Sequence, residues 1–411
     1  MKEVKIQKYP AYKNSGVDWL GEIPEHWDAV SLGSILELKS DKNHPDYEVL
    51  SVYREYGVIK KDSRDDNHNA TSLDTSNYKA VETGDLVVNK MKAWQGSMGV
   101  SPHKGIVSPA YITCRVNSEK IHPEYLHQIL RCDLYIGEYN RLSYGVRVGQ
   151  WDMHYEDFKH ITTTIPPIEE QAAIANFLDS KTAQIESAIA IKQKQIELLK
   201  ERRQILIHRA VTRGLNPDIK FKDSGVEWIG KIPENWEVKA LKFIANLQSG
   251  ETISPDKFID EEGYPVYGGN GFRGYTSTYT NEGEFALIGR QGALCGNVNY
   301  AKGKFYASEH AIVVYPLHNE NVLWMGEAIK QANFNRLSQS AAQPGIAVSV
   351  VKNVLFPYPP ILEQNEISSY LNSVSFKIST AISLKEKEIE KLKEYKSVLI
   401  NEAVSGKIKI G

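Results

Sequence analysis

The strongest constraint on the fold of this chain is that two different segments each occur twice, in alternation. The peptide SGVDWLGEIPEHW at residues 15–27 returns as SGVEWIGKIPENW at residues 224–236, with nine of thirteen positions identical. A second segment begins with PPIEEQ at residue 166 and again with PPILEQ at residue 359. The order of peptide, central block and long segment is therefore repeated, and the fold must be built from two related halves.

Both long segments are predicted to be helices. Each runs for more than forty residues beyond its paired prolines without another proline, and proline is tolerated in the first turn because the amides there lack helical partners. Apolar residues recur in steps of three and four, at Ile185, Ile189, Ile196, Leu199, Leu206 and Ala210 in the first copy and at Ile378, Ile382, Ile389, Leu392, Leu399 and Ala403 in the second. This narrow stripe predicts that the helices pair as an antiparallel coiled coil with one block near each end, so that the pair acts as a ruler.

Two positions of this stripe are polar in both copies. Lys192 matches Lys385, and Arg203 matches Lys396. Their aliphatic stems could cover apolar surface while the charges reach water, or the charges could fix the register between the helices. The sequence leaves both interpretations open.

The central blocks, residues 28–165 and 237–358, do not align convincingly with each other. Both are rich in β-branched and aromatic residues, glycine and turn signals, which predicts two strand-rich α+β domains. We expect these domains to alternate with the paired helices in an internal duplication with pseudo-two-fold symmetry. The predicted divisions are a first domain at 1–165 with a lead-in at 13–27, a first helix at 166–215, a second domain at 216–358 with a lead-in at 222–236, and a second helix at 359–411.

Composition excludes several classes of protein. No run approaches eighteen apolar residues, and residues 1–16 lack the apolar segment of a signal peptide. The three cysteines, Cys114, Cys132 and Cys295, have no metal-binding spacing, so we expect buried free thiols in a reducing cytoplasm. The net charge is −2 and no segment of the chain is a polycation, so any binding of nucleic acid must use local patches or partner subunits.

The motifs of catalysis are also missing from the sequence. There is no GxxxxGK[ST] phosphate loop, no Asn-Pro-Pro-aromatic tetrapeptide of amino-methyltransferases and no HxxxH or HExxH spacing. The acidic pairs Asp65-Asp66 and Glu261-Glu262 stand in polar, turn-like stretches that are typical of solvated loops. We therefore predict a non-catalytic chain without a cofactor or metal site of its own.

This pattern of motifs resembles the specificity subunit of type I restriction–modification enzymes. The resemblance rests on PPIEEQ and PPILEQ at the starts of two long helices, on the repeated SGVDWLGEIPEHW peptide and on the hinge TRGLNPDIKFKDSG at residues 212–225, and it covers nearly the whole chain. It implies two target-recognition domains, each of which reads one half of a bipartite sequence in double-stranded DNA. It also implies helices that set the gap between the half-sites and dock two methyltransferase subunits.

The same resemblance implies that the chemistry lies on other chains. S-adenosylmethionine would bind to the methyltransferase subunits, ATP and Mg²⁺ would bind to partner subunits that include restriction and translocation subunits, and the complex would work in a bacterial or archaeal cytoplasm near the nucleoid, away from membranes. Three alternatives remain open. They are the specificity subunit of a type II system with a fused methylase–nuclease partner, a fused enzyme, and a coiled-coil adaptor without a role on DNA.

Candidate DNA-reading residues stand on glycine-flanked loops at matching places in the two blocks. GDLVVNKMKAWQGSMG (84–99) stands where GEFALIGRQGALCG (283–296) stands, and RLSYGVRVG (141–149) stands where RLSQSAAQPG (336–345) stands. Arg, Lys, Asn and Gln read base edges, and glycine lets the backbone approach phosphate. Although any one of them could be an ordinary surface residue, the candidates are Asn89, Lys90, Lys92, Trp94, Gln95, Arg141, Tyr144 and Arg147 in the first block, and Asn270, Arg273, Arg290, Gln291, Arg336, Gln339 and Gln343 in the second.

Four tryptophans belong to the repeated peptides and not to the reading loops. Trp19 and Trp27 of the first copy match Trp228 and Trp236 of the second. Because both copies keep them while the blocks change, we predict that they are packing anchors where each domain meets the helices.

Overall fold

The computed structural model describes residues 7–63, 74–145, 151–292, 294–337 and 345–410. The chain divides into two compact units. Unit 1 is Met1–Lys192 with Glu386–Gly411, and unit 2 is Gln193–Lys385. Each unit thus contains one central block, the beginning of the long helix that follows that block, and the end of the other long helix.

Unit 1 is built on a small antiparallel sheet. Its elements are β1 (Tyr12–Asn14), β2 (Glu22–Pro24), β3 (Asp28–Ser31), β4 (Leu36–Lys39), β5 (Leu50–Tyr53), β6 (Gly57–Lys60), β7 (Lys79–Val81), β8 (Leu86–Asn89), β9 (Met98–Val100), β10 (Gly105–Val107), β11 (Tyr111–Val116), α1 (Pro123–Ile129), α2 (Asp133–Leu142), α3 (Tyr155–Phe158), β12 (Thr162–Ile165) and the start of α4 (Ile168–Arg213). The central sheet has the strand order β4-β11-β8-β9, and β1-β2, β3-β12, β5-β6 and β7-β10 form separate antiparallel pairs.

Unit 2 has a larger sheet. Its elements are β13 (Phe221–Asp223), β14 (Lys231–Pro233), β15 (Glu237–Ala240), β16 (Ala245–Ser249), β17 (Phe258–Ile259), β18 (Tyr264–Gly268), β19 (Gly271–Thr276), β20 (Asn281–Gly289), β21 (Val298–Ala307), β22 (Ala311–Pro316), α5 (Val322–Gln331), α6 (Val348–Val351), β23 (Leu355–Tyr358) and the start of α7 (Ile361–Val404). Seven strands pair in the order β16-β22-β20-β21-β18-β19-β17, and β13-β14 and β15-β23 pair separately. The β18-β21 pairing is parallel.

The two blocks share a framework that their sequences do not reveal. The order β4-β11-β8-β9 in unit 1 corresponds strand by strand to β16-β22-β20-β21 in unit 2. Leu86 and Val88 on β8 are fully buried, as are Ala286 and Ile288 on β20. Because a sheet core requires only apolar side chains of suitable volume at alternate positions, the same framework tolerates different sequences.

The long helices pair antiparallel, as the matched stripes predict. In unit 1, the Lys192 ammonium lies 2.6 Å from the carboxylate of Glu388, and Lys396 pairs with Glu186. Moving toward the start of α4 thus means moving toward the end of α7. These ion pairs between the helices favour the interpretation that the lysines of the stripe fix the register.

Apolar side chains complete the helix pairing in each unit. In unit 1, Ile189 belongs to the same buried cluster as Leu392 and Leu399, which confirms its predicted packing on the second copy. In unit 2, the end of α4 and the start of α7 share a cluster that includes Ala210 and Leu371. Ile196 is buried and Leu199 is half-buried, as expected for stripe positions.

The glutamine of PPIEEQ and PPILEQ ties each long helix to the domain before it. In unit 1, the amide oxygen of the fully buried Gln171 accepts a hydrogen bond from the His122 N–H, and its nitrogen donates to the Pro166 carbonyl. In unit 2, Gln364 makes the equivalent bonds to the Asn321 N–H and the Pro359 carbonyl. Buried backbone polar groups need such partners, which explains why both copies keep this residue.

Each repeated peptide docks on the end of the long helix in its own unit. Trp27 packs at Gly406, just beyond α7, and Trp236 packs at Gly214, just beyond α4. Both indole rings are fully buried, and both glycines have positive φ angles, +72° and +70°. The peptide is therefore repeated because each unit needs the same connection between its domain and a helix end.

The remaining predictions about core residues are also confirmed. Trp19 and Trp228 are half-buried and pack against the cores of their units, Trp19 edge-on to Tyr135 and Trp228 edge-on to Phe356. The three cysteines are free and buried. Burial raises the pKa of the Cys114 and Cys132 thiols to about 12, so neither is a reactive thiolate at neutral pH. Within the described residues, no helix combines the length and apolarity needed to cross a membrane.

Candidate nucleic-acid interface

In unit 1, the two predicted reading loops meet at the end of β8. The Met153 N–H donates to the carbonyl of Lys90 at 2.9 Å, and the Lys90 ammonium lies 3.3 Å from the Asp152 carboxylate. Trp94 packs edge-on to Trp151, with 5.2 Å between ring centroids. The structure therefore brings the 89–95 loop together with the segment that follows residue 150.

The polar groups of this cluster differ in how accessible they are to a ligand. Asn89 is buried at the end of β8, Gln95 is half-buried in the following turn, and Lys92 is exposed. Arg141 donates to the carboxylate of Glu138 through two nitrogens, at 2.8 and 2.6 Å, which raises the pKa of its guanidinium. A ligand that recruits Arg141 must therefore compete with this ion pair.

Tyr144 presents an aromatic face to solvent. Its ring is 57% exposed and stacks on His154, with 5.1 Å between centroids and 18° between the planes. The backbones of Tyr144 and Asp152 are joined by two hydrogen bonds, at 3.2 and 3.0 Å. A stacked, exposed tyrosine on a fixed backbone is suited to contact with sugar or base edges.

In unit 2, the corresponding loops border an open cleft of about 520 Å³, lined by Gly269, Asn270, Gly271, Phe272, Arg273, Gln291, Gly292 and His310. A Cβ atom on Gly269 would lie 3.1 Å from the carbonyl oxygens of both Gln291 and His310. The turn between β18 and β19 therefore lies directly against the loops at the ends of β20 and β22. The exposed Asn270 and Arg273 thus share one surface with Gln291, which lies on a separate segment of the chain.

Arg290 is anchored through its backbone. Its N–H donates to the His310 carbonyl at 2.8 Å, and its carbonyl accepts from the Ile346 N–H at 2.9 Å. The half-buried guanidinium donates to the Ser249 hydroxyl at 3.4 Å, a long bond that a stronger acceptor would replace. Arg336 is exposed on a short turn at Phe334–Leu337.

Three candidates, Arg147, Gln339 and Gln343, lie outside the described residues. Their assignment as DNA contacts stays a prediction, and the contact role of the other candidates stays one too.

The two candidate sites are built on matching backbone. The hydrogen bond from Met153 to Lys90 in unit 1 corresponds to the one from Ile346 to Arg290 in unit 2. The turns that follow β8 and β20 both use a glycine of positive φ, Gly96 at +80° and Gly296 at +87°, and a Cβ at either would lie within 3 Å of neighbouring atoms. The predicted positional parallel between 84–99 and 283–296 is thus a parallel of structure.

Sequence reasoning missed the residues that border these loops from other segments. In unit 1 they are Asp152 and His154, and in unit 2 they are Glu309 and His310. His310 immediately precedes β22, which pairs with β20, so its place opposite the end of β20 follows from the strand pairing alone. Without that pairing, no local signal marks it.

The chemistry available at both sites is hydrogen bonding and positive charge. Among the described residues, no group of three or more His, Cys, Asp or Glu side chains is placed to hold a metal ion. The candidate side chains are amides, cations and aromatic rings, and the partly exposed carboxylates of Asp152 and Glu309 border them. Such an arrangement can bind the edges of bases and the phosphates beside them.

Comparison with protein families gives two matches along the chain. The model of the type I restriction modification DNA specificity domain matches residues 24–200 and again residues 233–394. Each match contains one central block and most of the long helix that follows it.

Similar curated proteins fall in the same group. The EcoprrI specificity subunit of Escherichia coli is 40% identical over 158 residues, which is 38% of this chain and 37% of that protein. The putative MjaX specificity subunit of Methanocaldococcus jannaschii is 26% identical over 428 aligned positions, covering 95% of this chain and 96% of that protein.

Solved structures with the same fold also cover nearly the whole chain. A chain from a study of complex assembly and conformational transition of the type I R-M system has a TM-score of 0.75, with 15% identity over 93% of this chain and 98% of that one. The HsdS subunit from Thermoanaerobacter tengcongensis has a TM-score of 0.60, with 16% identity over 94% of this chain and 98% of that one.

Proposed function

This chain belongs to the type I restriction-modification DNA specificity family, and we propose that it is the non-catalytic subunit that selects the DNA sequence for its complex. Unit 1 reads one half of a bipartite site in double-stranded DNA, and unit 2 reads the other half. The observation that carries this proposal is the pair of matching frameworks with different polar loops at the ends of β8 and β20. One four-stranded framework thus supports two readers whose polar side chains differ where a base edge would be contacted.

The helices offer a surface for protein partners. Ile191, Leu198 and Ile205 are 57%, 51% and 58% exposed, and their spacing of seven residues keeps them on one face of α4. The matching positions of α7 include Leu384 and Val398, which are 56% and 45% exposed. Because exposed apolar residues recur at two matching positions of the helices, with Lys391 at the third position of α7, they support docking of two copies of one partner, which we assign to two methyltransferase subunits.

The chemistry of the complex belongs to these partners in our proposal. The methyltransferase subunits bind S-adenosylmethionine, and restriction subunits that translocate DNA bind ATP and Mg²⁺. The complex acts in a bacterial or archaeal cytoplasm. The type II arrangement and the adaptor without DNA binding are the competing hypotheses, and family membership favours neither.

The test of the proposal is a site selection. The chain, assembled with its methyltransferase subunits, is incubated with random duplex DNA, and the methylated molecules are sequenced. We expect one bipartite motif whose two halves are separated by a fixed gap. A single continuous motif, or methylation without sequence preference, would contradict the proposal.

Insertions test the role of the helices separately. Lys192 lies opposite Glu388, so seven residues inserted directly after Lys192 and directly after Lys387 lengthen both helices at the same level and keep the heptad. Such an insertion adds about 10 Å, or about three base-pair steps of 3.4 Å. We expect a longer gap with unchanged half-sites. The matched control carries the insertion in α4 alone, which shifts the stripe of one helix against the other and should abolish assembly.

A further inference from the structure

In unit 2, Phe272 is an apolar residue on the wall of an otherwise polar cleft. Of the eight described residues that line this cleft, three are glycines, four have polar side chains, and Phe272 alone is apolar. Its ring is 55% exposed. Single exposed apolar side chains are ordinary on protein surfaces, but this one shares the cleft with the candidate readers Asn270, Arg273 and Gln291. Phe272 is therefore placed to touch whatever ligand these residues bind.

A β-bulge directs Phe272 and the next residue, Arg273, to the same cleft. On β18, Tyr267 lies opposite Phe272 of β19. The preceding Val266 lies opposite Gly274, so Arg273 has no residue opposite it and is the extra residue of the bulge. Consecutive side chains of a regular strand point to opposite faces, whereas a bulge re-aims them. Both side chains line the cleft, and an aromatic ring therefore stands next to a guanidinium on its wall.

Contacts within unit 2 hold the ring of Phe272 in place without covering it. Tyr267 meets the ring edge-on with 6.5 Å between centroids, and Tyr275 meets it edge-on at 5.0 Å. Tyr267 in turn packs edge-on against the fully buried Phe305, at 5.8 Å. A row of aromatic rings thus connects Phe272 to the core of the sheet. Because the ring is already held, a ligand does not have to order it on binding.

We propose that Phe272 is a specificity-determining residue that contacts the C5-methyl group of a thymine, an inference that rests on the proposed function. That methyl is the distinctive apolar group on the major-groove edges of the bases, and phenylalanine is among the side chains that contact it. The neighbouring Arg273 offers donors to the base acceptors or phosphates beside the methyl group. The half-site of unit 2 therefore contains a thymine.

The expected preference is modest because the contact involves a single methyl group. Uracil forms the same hydrogen bonds as thymine and lacks only this methyl group, so a comparison of the two bases isolates the contact. On binding, the methyl group and the part of the ring that it covers leave water. We expect thymine to be preferred over uracil about fivefold, which corresponds to about 1 kcal/mol and is the size expected for burial of one methyl group.

The test uses the complete chain assembled with its methyltransferase subunits. Each thymine on either strand of both half-sites is replaced singly by deoxyuridine, and the readout is the rate of methylation relative to the unmodified duplex. In Phe272→Ala the ring is lost, so the preference for thymine over uracil should disappear at one position of one half-site. The effect of every other replacement should be unchanged, and the half-site of unit 1 serves as an internal control. The cycle of protein change and base change isolates the contact between ring and methyl group.

Two further variants complete the experiment. Phe272→Leu keeps an apolar side chain and should keep a preference for thymine at the same position. The matched control is Phe243→Ala, because Phe243 is 61% exposed in unit 2 but does not line the cleft. It lies in the turn before β16, whereas Ser249, which bonds Arg290, ends that strand. Because Phe272 and Phe243 are both more than half exposed, their substitution should leave the chain folded, which thermal unfolding would verify.

Three results would overturn the inference. The first is a wild-type complex that methylates every uracil-containing duplex as fast as the unmodified one. The second is a Phe272→Ala variant that prefers thymine over uracil as the wild type does. The third is a Phe272→Ala variant that loses activity equally on all DNAs, which would identify a contact without base preference. Failure of the proposed function is distinguishable, since the wild-type complex would then select no sequence at all.

Discussion

The four-stranded frameworks of units 1 and 2 place their strands in the same order, yet the loops at their ends present different polar groups. At the end of β8 a lysine pairs with Asp152, and at the end of β20 a glutamine is bonded to His310. Packing restricts the framework because its side chains fill a closed interior. The loops face solvent, where packing imposes no such restriction, so they are free to diverge toward different ligands.

The docking of the repeated peptides shows a subtler difference. In unit 2, the indole N–H of Trp236 donates to the Glu363 carboxylate at 2.7 Å. In unit 1, the equivalent Glu170 accepts from Tyr9 and lies 2.9 Å from Nε2 of His26, and the indole N–H of Trp27 has no acceptor among the described residues. The two tryptophans therefore pack on their helix ends in the same way but with different hydrogen bonds, and single substitutions can test this difference.

The largest expected difference concerns the glycines beyond the two helices. A Cβ at Gly406 would lie 2.3 Å from the rigid ring of Pro24, whereas a Cβ at Gly214 would lie 3.1 Å from Trp236. Both sites have positive φ, which costs an alanine about 1 kcal/mol, and overpacking adds about 1–3 kcal/mol. We expect Gly406→Ala to destabilise the chain by about 3 kcal/mol and Gly214→Ala by about 1 kcal/mol, measured by thermal unfolding. Equal losses of stability would mean that the sites at Gly406 and Gly214 accommodate an added side chain equally well.

Acid should act on unit 1 through His127. Burial, and then the nearby Arg131, lowers the pKa of this imidazole to about 4 from an ordinary 6.5. Below pH 6.5 the imidazole of His127 gains a proton in the unfolded chain, whereas in the folded chain it does so only near pH 4. The free energy of unfolding therefore decreases as the pH falls from 6.5 to 4. We expect a loss of about 2–3 kcal/mol over this interval.

The control for this prediction is His127→Gln, which keeps a hydrogen-bond acceptor for Arg131 and does not titrate. Its stability should fall less between pH 6.5 and 4 than that of the wild type. In unit 2, the place of His127 on α5 is taken by Gly326, which packs against Tyr300, so no imidazole titrates there. Parallel pH profiles for wild type and variant would refute the assignment.

Substitution of Trp27 and Trp236 should reveal a smaller difference in stability between the two places where a repeated peptide packs on a helix end. Trp236→Phe removes a hydrogen bond to a carboxylate, which is worth about 1.5–3 kcal/mol, and Trp27→Phe removes an indole N–H that has no partner among the described residues. We expect Trp236→Phe to cost about 2 kcal/mol more than Trp27→Phe in free energy of unfolding. The double variant Trp236→Phe with Glu363→Gln, compared with the single variants, isolates the bond itself.

The smallest expected effect concerns single reading arginines. Arg290→Ala should weaken recognition of one half-site by about tenfold, and Arg147→Ala should weaken recognition of the other, because an arginine that reads guanine contributes about 1–3 kcal/mol of discrimination. The measurement is the affinity of the assembled methyltransferase for cognate DNA and for each half-site mutant. Uniform loss on all DNAs would instead identify a phosphate contact.

Much of the architecture follows from local sequence patterns. The spacing of apolar residues predicts both long helices and their antiparallel pairing, and the structure confirms helices at Ile168–Arg213 and Ile361–Val404. The grouping of polar residues on glycine-flanked loops predicts candidate DNA-reading segments, and their contact role stays a prediction. These features were accessible because helix periodicity and turn composition act over a few residues.

What the sequence determined by itself is the duplication, the helices and the loops that carry the candidate readers. The tertiary structure alone decided that the blocks share one strand order, that Gln171 and Gln364 satisfy buried backbone groups, and that His310 meets Gln291. The reason is that strand pairing and loop convergence join residues far apart in the chain. His310 follows Gln291 by nineteen residues, and only the pairing of β20 with β22 brings them into hydrogen-bonding distance.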